Sequence, residues 1–163
     1  MSLRRVVNAS PIIFLDRLGL LDLLNEPGVT VLVPEPVLEE LGGVDPDDPA
    51  VVAVRSASWI QVVAGPPIPD SLRPFRLDRG EASVLALALI PGAQGTQVVV
   101  DDLAARRCAA ALGLELRGTI SFLLVAKAEG RIPAIRPLLE LLQRSGMRLS
   151  ATLFRHVLDL AGE

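Results

Sequence analysis

Tyrosine is absent from this chain, and aromatic residues of all kinds make up only 3% of it. That argues against RNA recognition by bases stacked on aromatic side chains of a sheet surface, and it means that any core must be aliphatic. Cysteine occurs once, at Cys108. A lone thiol forms no internal disulfide and no cysteine-rich zinc site; in its Ala-rich helical stretch it reads as buried and inert. Histidine also occurs once, at His156, so multi-histidine metal motifs are excluded and a histidine-based triad is disfavoured. His156 falls in the last helical segment, where a surface or capping role is expected. The only lysine is Lys127. The other cations are arginines, which suit bidentate phosphate or carboxylate contacts, although genome composition explains the bias equally well. A net charge of -3 and a pI of about 5.2 exclude a general basic field for nucleic acid.

Other signals are missing too. The apolar runs are broken by Pro, Gly or charge well short of membrane-spanning length, and no signal-like segment opens the chain. A soluble, cytoplasmic protein without membrane contact is expected. There is neither a G-x-G-x-x-G after the first strand nor a G-x-x-x-x-G-K-[ST]. Gly92–Gly95 lies between a helix and a strand, the wrong order for a phosphate-cradling loop. A nucleotide-binding Rossmann enzyme is therefore disfavoured.

What is present is apolar: half of the 163 residues are hydrophobic, enough for a substantial core in a single domain spanning residues 1–163. Strands are predicted at Arg5–Asn8, Val29–Val33, Trp59–Val63, Gln97–Val100 and Leu114–Arg117. Helices are predicted from Ser10, read as a cap before Pro11, to Leu18 and onward after Gly19, then at Pro34–Leu41, closed by Gly42–Gly43. Further helices are predicted at Ala50–Ser58, Asp78–Ile90, Asp102–Leu112, Ile120–Glu129, Ala134–Arg144 and Ser150–Leu160. Gly65–Pro74 reads as a Pro-rich loop. Strands alternating with helices point to an α/β fold, a parallel sheet covered on both faces. Right-handed crossovers then gather the strand-to-helix turns at one sheet edge, where open parallel sheets bind ligands.

Four places bring polar chemistry to that edge. Asn8 ends the first strand. Glu40, with Glu39 beside it, lies on the helix after the second. Glu81 sits in the first turn of the helix from Asp78, and Asp101 and Asp102 close the strand Gln97–Val100. Each has an ordinary reading: Asn8 or Ser10 as a helix cap, Asp78 and Glu81 as a capping box, Asp101 or Asp102 as an N-cap, Glu39 and Glu40 as a solvated helix face. Together they form a coincidence harder to dismiss. Converging carboxylates repel unless protonated or bound to a cation. Mg²⁺ or Mn²⁺ suits such oxygen ligands and supports phosphodiester hydrolysis without His or Cys.

The blocks Val6–Leu15, Val33–Leu41, Leu77–Ala82 and Val100–Arg106 resemble, in order and spacing, the PIN-like proteins of the DUF3368 group, and Gly118–Thr119 and Ile132–Gly146 resemble that group's tail. The resemblance covers nearly the whole chain. It implies a three-layer α/β/α PIN-like fold with a central parallel sheet and a Mg²⁺- or Mn²⁺-dependent endoribonuclease, one form of which is the toxin held by a small antitoxin protein. It further implies RNA as substrate and admits a homodimer. Carried over by position, the catalytic acids fall on Glu40, Glu81 and Asp101 or Asp102, and the metal ligands on these residues and Asn8. Asn8 stands where the family's usual first acid would be. It offers an oxygen but no charge, a departure that leaves open a non-catalytic PIN-like module binding RNA or protein. Arg79 and Arg106, next to the acidic blocks, are the expected RNA-binding residues.

Overall fold

A computed structural model describes residues 2–42 and 45–163. Five strands form one all-parallel sheet in the order β3-β2-β1-β4-β5. They are β1 (Leu3–Val7), β2 (Val29–Pro34), β3 (Ile60–Val63), β4 (Thr96–Val99) and β5 (Glu115–Arg117). The helices are α1 (Ala9–Arg17), α2 (Glu35–Gly42), α3 (Pro49–Ser56), α4 (Arg79–Ala88), α5 (Leu103–Ala111), α6 (Thr119–Ala128), α7 (Arg136–Arg144) and α8 (Ala151–Ala161). This is the expected α/β architecture. Among the described residues, no helix is long and apolar enough to cross a membrane.

The central strands are apolar on both sides because helices cover both. Val6, Val7, Val31, Val33, Val98 and Val99 are all fully buried, which is why these strands read as unbroken valine-rich runs rather than alternating ones. Cys108 is buried as expected, and burial pushes its thiol up.

One residue breaks the apolar pattern. Arg5, in the middle of β1, is fully buried. Its register partner on β4 is Gln97, whose Oε1 accepts from Arg5 Nε at 2.7 Å, while Nη1 donates to Leu24 O at 2.6 Å. Glu26 lies 3.4 Å from Nη2, and the guanidinium sits over the Phe122 ring, 4.9 Å from its centroid. Burial lowers the Arg5 pKa and Glu26 opposes this. Removing one member of so enclosed a set would leave the others unpaired in low dielectric.

Some local details differ from the sequence reading. Ser10 lies inside α1 rather than capping it; Asn8 holds the N-cap position. The stretch after Gly19 is a single 3₁₀ turn, Leu21–Leu24, and the Pro-rich loop carries another at Asp70–Phe75. Pro34 ends β2 instead of opening α2. The expected closure at Gly42–Gly43 falls partly outside the described residues. At the far end, both carboxylate oxygens of Glu163 accept from the first N–H groups of α7, at 2.5 Å from Ile135 and 3.2 Å from Arg136.

The topology has one switch point. From β1 the chain winds through α1 to β2 on one side; from β4 it winds through α5 to β5 on the other. With right-handed crossovers these connections leave from opposite faces, opening a crevice at the carboxyl ends of the adjacent strands β1 and β4. Asn8 follows β1 there, and Asp101 and Asp102 follow β4.

Candidate active site

Asn8 is held at the switch point by its backbone, whose N–H donates to Val99 O at 3.0 Å. Its side chain does not cap α1. The residue is only 3% exposed, and its Oδ1 has no hydrogen-bond partner. Buried polar atoms are nearly always satisfied, so an orphan of this kind calls for an explanation. The helix-cap reading of Asn8 is thereby removed.

Its surroundings supply the explanation. A β-carbon on Gly80 would collide with Glu40 Oε2, and would lie 3.4 Å from Asn8 Oδ1 and 3.5 Å from Asp78 Oδ1. Three oxygens from three distant segments thus surround one point, and only a glycine leaves room for them. Burial, and then the charge of Asp78, push the Glu40 carboxyl above its ordinary value. Glu40 is exposed as a whole residue, but its inner oxygen lies against Gly80, so the upward direction follows from geometry.

Glu81 stands one residue further on α4 and is 8% exposed. Asp78 and Glu81 do form the expected capping box: Asp78 Oδ1 accepts from Glu81 N at 2.7 Å, and Glu81 Oε2 accepts from Asp78 N at 3.2 Å. The capping and site readings are therefore compatible. Burial raises the Glu81 pKa to about 7 against the pull of the Asp78 N–H, with added repulsion from Asp78, Asp102 and Glu40.

The two acids after β4 separate. Asp102 caps α5, its Oδ2 accepting from Ala104 N at 2.8 Å and Ala105 N at 3.3 Å; it reaches the cluster through its charge on Glu81. Asp101 turns toward α6. Thr119 donates to it twice, from its N–H to Oδ1 at 2.8 Å and from its hydroxyl to Oδ2 at 2.6 Å. Burial raises the Asp101 pKa, opposed by both Thr119 bonds and by Arg106.

The arginines also differ. Arg79 Nη1 lies 2.7 Å from Glu39 Oε2 in an exposed pair, whereas Arg106 Nη1 donates to Val100 O at 3.1 Å, and both it and Asp101 Oδ1 flank Gly118. The structure thus brings Asn8 and Glu40 together with Asp78 at Gly80, holds Glu81 next to them in sequence on α4 within the capping box, and directs Asp101 and Arg106 to the β5–α6 turn. Two participants had other readings in the sequence: Asp78, legible there only as a cap, and Thr119, legible only within the segment that resembles the family's tail.

The donor atoms around Gly80 are all oxygen: the Asn8 amide and the Glu40 and Asp78 carboxylates. That composition fits a hard divalent cation such as Mg²⁺ or Mn²⁺, and the unsatisfied Asn8 Oδ1 is an available ligand atom. Among the described residues, no three Asp, Glu, His or Cys side chains are grouped closely enough to hold a cation by themselves, so the amide is a material part of the set.

A family model described as a PIN domain, DUF3368, matches residues 4–163. No curated protein gives a significant match. With the match spanning almost all of the chain, and with a five-stranded parallel sheet flanked by helices beneath it, this protein belongs to the DUF3368 family of PIN domains.

Proposed function

We propose that this PIN-type, nuclease-like module is a metal-dependent endoribonuclease. The observation that carries the reading is the buried, unpartnered Oδ1 of Asn8, facing Glu40 and Asp78 across Gly80 at the sheet's switch point. Asn8, Glu40 and Glu81 would hold Mg²⁺ or Mn²⁺, with Asp102 adding charge from the margin. When bound, such an ion supplies activation of water and neutralisation of charge on the phosphate.

The chain's own residues do the rest. The capping box fixes Glu81 at the start of α4, so its carboxylate cannot drift from the cluster. Asp101 pins the start of α6 through Thr119 and holds the β5–α6 turn beside the site. Arg106, tied to Val100 O, keeps a guanidinium at the edge of the acids, where it can meet a phosphate that the acids alone would repel.

Cleavage of an unstructured RNA in Mn²⁺ and in EDTA tests the reading. Metal-dependent internal cleavage, lost in Glu40→Gln and Glu81→Gln variants that still fold, is expected. No cleavage by the wild type in Mn²⁺ or Mg²⁺ would overturn it. A toxin role with a small antitoxin partner follows from the family resemblance alone, and growth arrest on expression, relieved by a neighbouring small protein, is its test. One feature favours a non-catalytic binding module: the first acid is an amide, and Asp101 and Asp102 are both engaged in helix N–H bonds. RNA binding without cleavage would decide for that module.

A further inference from the structure

A cavity of about 330 Å³ lies between the β5–α6 turn, the segment Met147–Leu149 and α8, and Asp101 is among its lining residues. Its polar lining includes Asp101, Arg106, Arg148 and His156; much of the rest is aliphatic, among it Leu124 and Leu153. The volume sits at the low end of the roughly 300–1,000 Å³ typical of small-ligand sites. That is room for one nucleotide-sized group.

The charges at its mouth favour an anion. Asp101 is engaged by both Thr119 donors and balanced by Arg106. Among the described residues, neither Arg106 nor Arg148 has an ion-pair partner within 4.0 Å. In a protein of net charge -3, a cavity lined by two arginines and one carboxylate is a local exception. Arginine planes can also carry a stacked base where aromatics are lacking. An imidazole adds one donor and one acceptor for a base edge.

We propose that this cavity is a nucleotide subsite. It takes the base of a single-stranded RNA next to the phosphodiester that reaches Glu40 and Glu81, with Arg106 and Arg148 on the flanking phosphate. The proposal deepens the ribonuclease reading and rests on it for the position of the scissile bond. Of the two acids that follow β4, Asp101 is the one that lines the cavity.

His156 provides the test. It is the only histidine, so its ring protons give an isolated pair of NMR signals inside the proposed subsite. The protein is titrated in EDTA with ribonucleoside 5′-monophosphates and, separately, with inorganic phosphate. A saturable shift with at least one nucleotide, exceeding that with phosphate, is expected. Arg148→Ala, which removes a charge-assisted contact, and Leu153→Glu, which sets a negative charge in the apolar wall, are both at exposed positions and should each weaken that nucleotide about tenfold. Absence of a saturable shift with every nucleotide, an equal shift with phosphate alone, or unchanged affinity in both variants would overturn the subsite. So would a saturable shift with an amphipathic peptide and none with a nucleotide. The two readings separate cleanly. Glu81→Gln should abolish Mn²⁺-dependent cleavage and keep the His156 shift. Cleavage without the shift removes the subsite alone; the shift without wild-type cleavage removes the ribonuclease reading and keeps a nucleotide site.

Discussion

Glu40 Oε2 occupies the space that a β-carbon on Gly80 would need. The obstacle is the end of a flexible side chain, so the collision is relieved by moving the Glu40 carboxylate away. Gly80→Ala should therefore spare the fold. Alanine in the first turn of α4 gains roughly 0.5–1 kcal/mol of helix preference over glycine, offsetting part of the rearrangement, and the melting temperature in EDTA should change by no more than about 3 °C. The Mn²⁺-induced rise in melting temperature should shrink. A full Mn²⁺ response in this variant would show that Glu40 does not bind the ion.

Asn8→Asp adds a carboxylate at a nearly isosteric position. Without metal it should destabilise the protein, because another charge is buried beside Glu40 and Asp78. With Mn²⁺ it should stabilise, since a ligand bound only by the folded state raises apparent stability. The melting temperature of the variant should respond to Mn²⁺ more than that of the wild type, and any RNA cleavage should rise in parallel. Equal responses would mean that Asn8 does not face the ion.

The fold was legible in the sequence because its signals are local or strongly periodic. Valine-rich strands, the capping box of Asp78 and Glu81, and the alternation of strand and helix all announce themselves in short windows, and they predict the parallel sheet that is found. The approach of Asn8 to Glu40 follows from right-handed crossovers that collect strand ends. What could not be read was side-chain direction. Asp101 and Asp102 are neighbours in sequence, yet one serves Thr119 and the other caps α5. The strand-like run at Arg5 gave no sign of a buried guanidinium, since its partners Gln97, Leu24 and Glu26 are brought to it only by the tertiary fold. Ser10 matched a cap signature that Asn8, two residues earlier, took over by position alone.

Proton linkage at Glu81 gives a pH test. Its pKa rises from 4.5 to about 7 on folding, so the folded state binds this proton more tightly than the unfolded chain. The resulting stability is complete below about pH 4.5 and is lost as pH rises through about 7. In EDTA, the wild type should lose stability across that window relative to Glu81→Gln, which has no proton to release. Thermal unfolding of both proteins at a series of pH values measures the difference. A constant gap between the two curves would show that Glu81 is not perturbed.

The two arginines should not behave alike. Arg79 is engaged by Glu39 in an exposed pair, and such pairs contribute about 0–1 kcal/mol. Arg106 lies at the β5–α6 turn with no ion-pair partner within 4.0 Å among the described residues. Arg106→Ala should weaken RNA binding and reduce the slope of log K against log salt by about one, while Arg79→Ala should change both less. Unchanged binding in Arg106→Ala would remove that residue from the RNA surface.

In the proposed function, the oxygens around Gly80 hold a divalent cation. Anomalous diffraction from a crystal soaked in Mn²⁺ tests it most directly, because it locates the ion without reference to activity. The account predicts a peak within the ligand distance typical of small divalent ions, roughly 2.0–2.2 Å, of Asn8 Oδ1 and of carboxylate oxygens from Glu40 and Glu81. A fully soaked crystal with no peak there, or with its ion bound elsewhere, would contradict it.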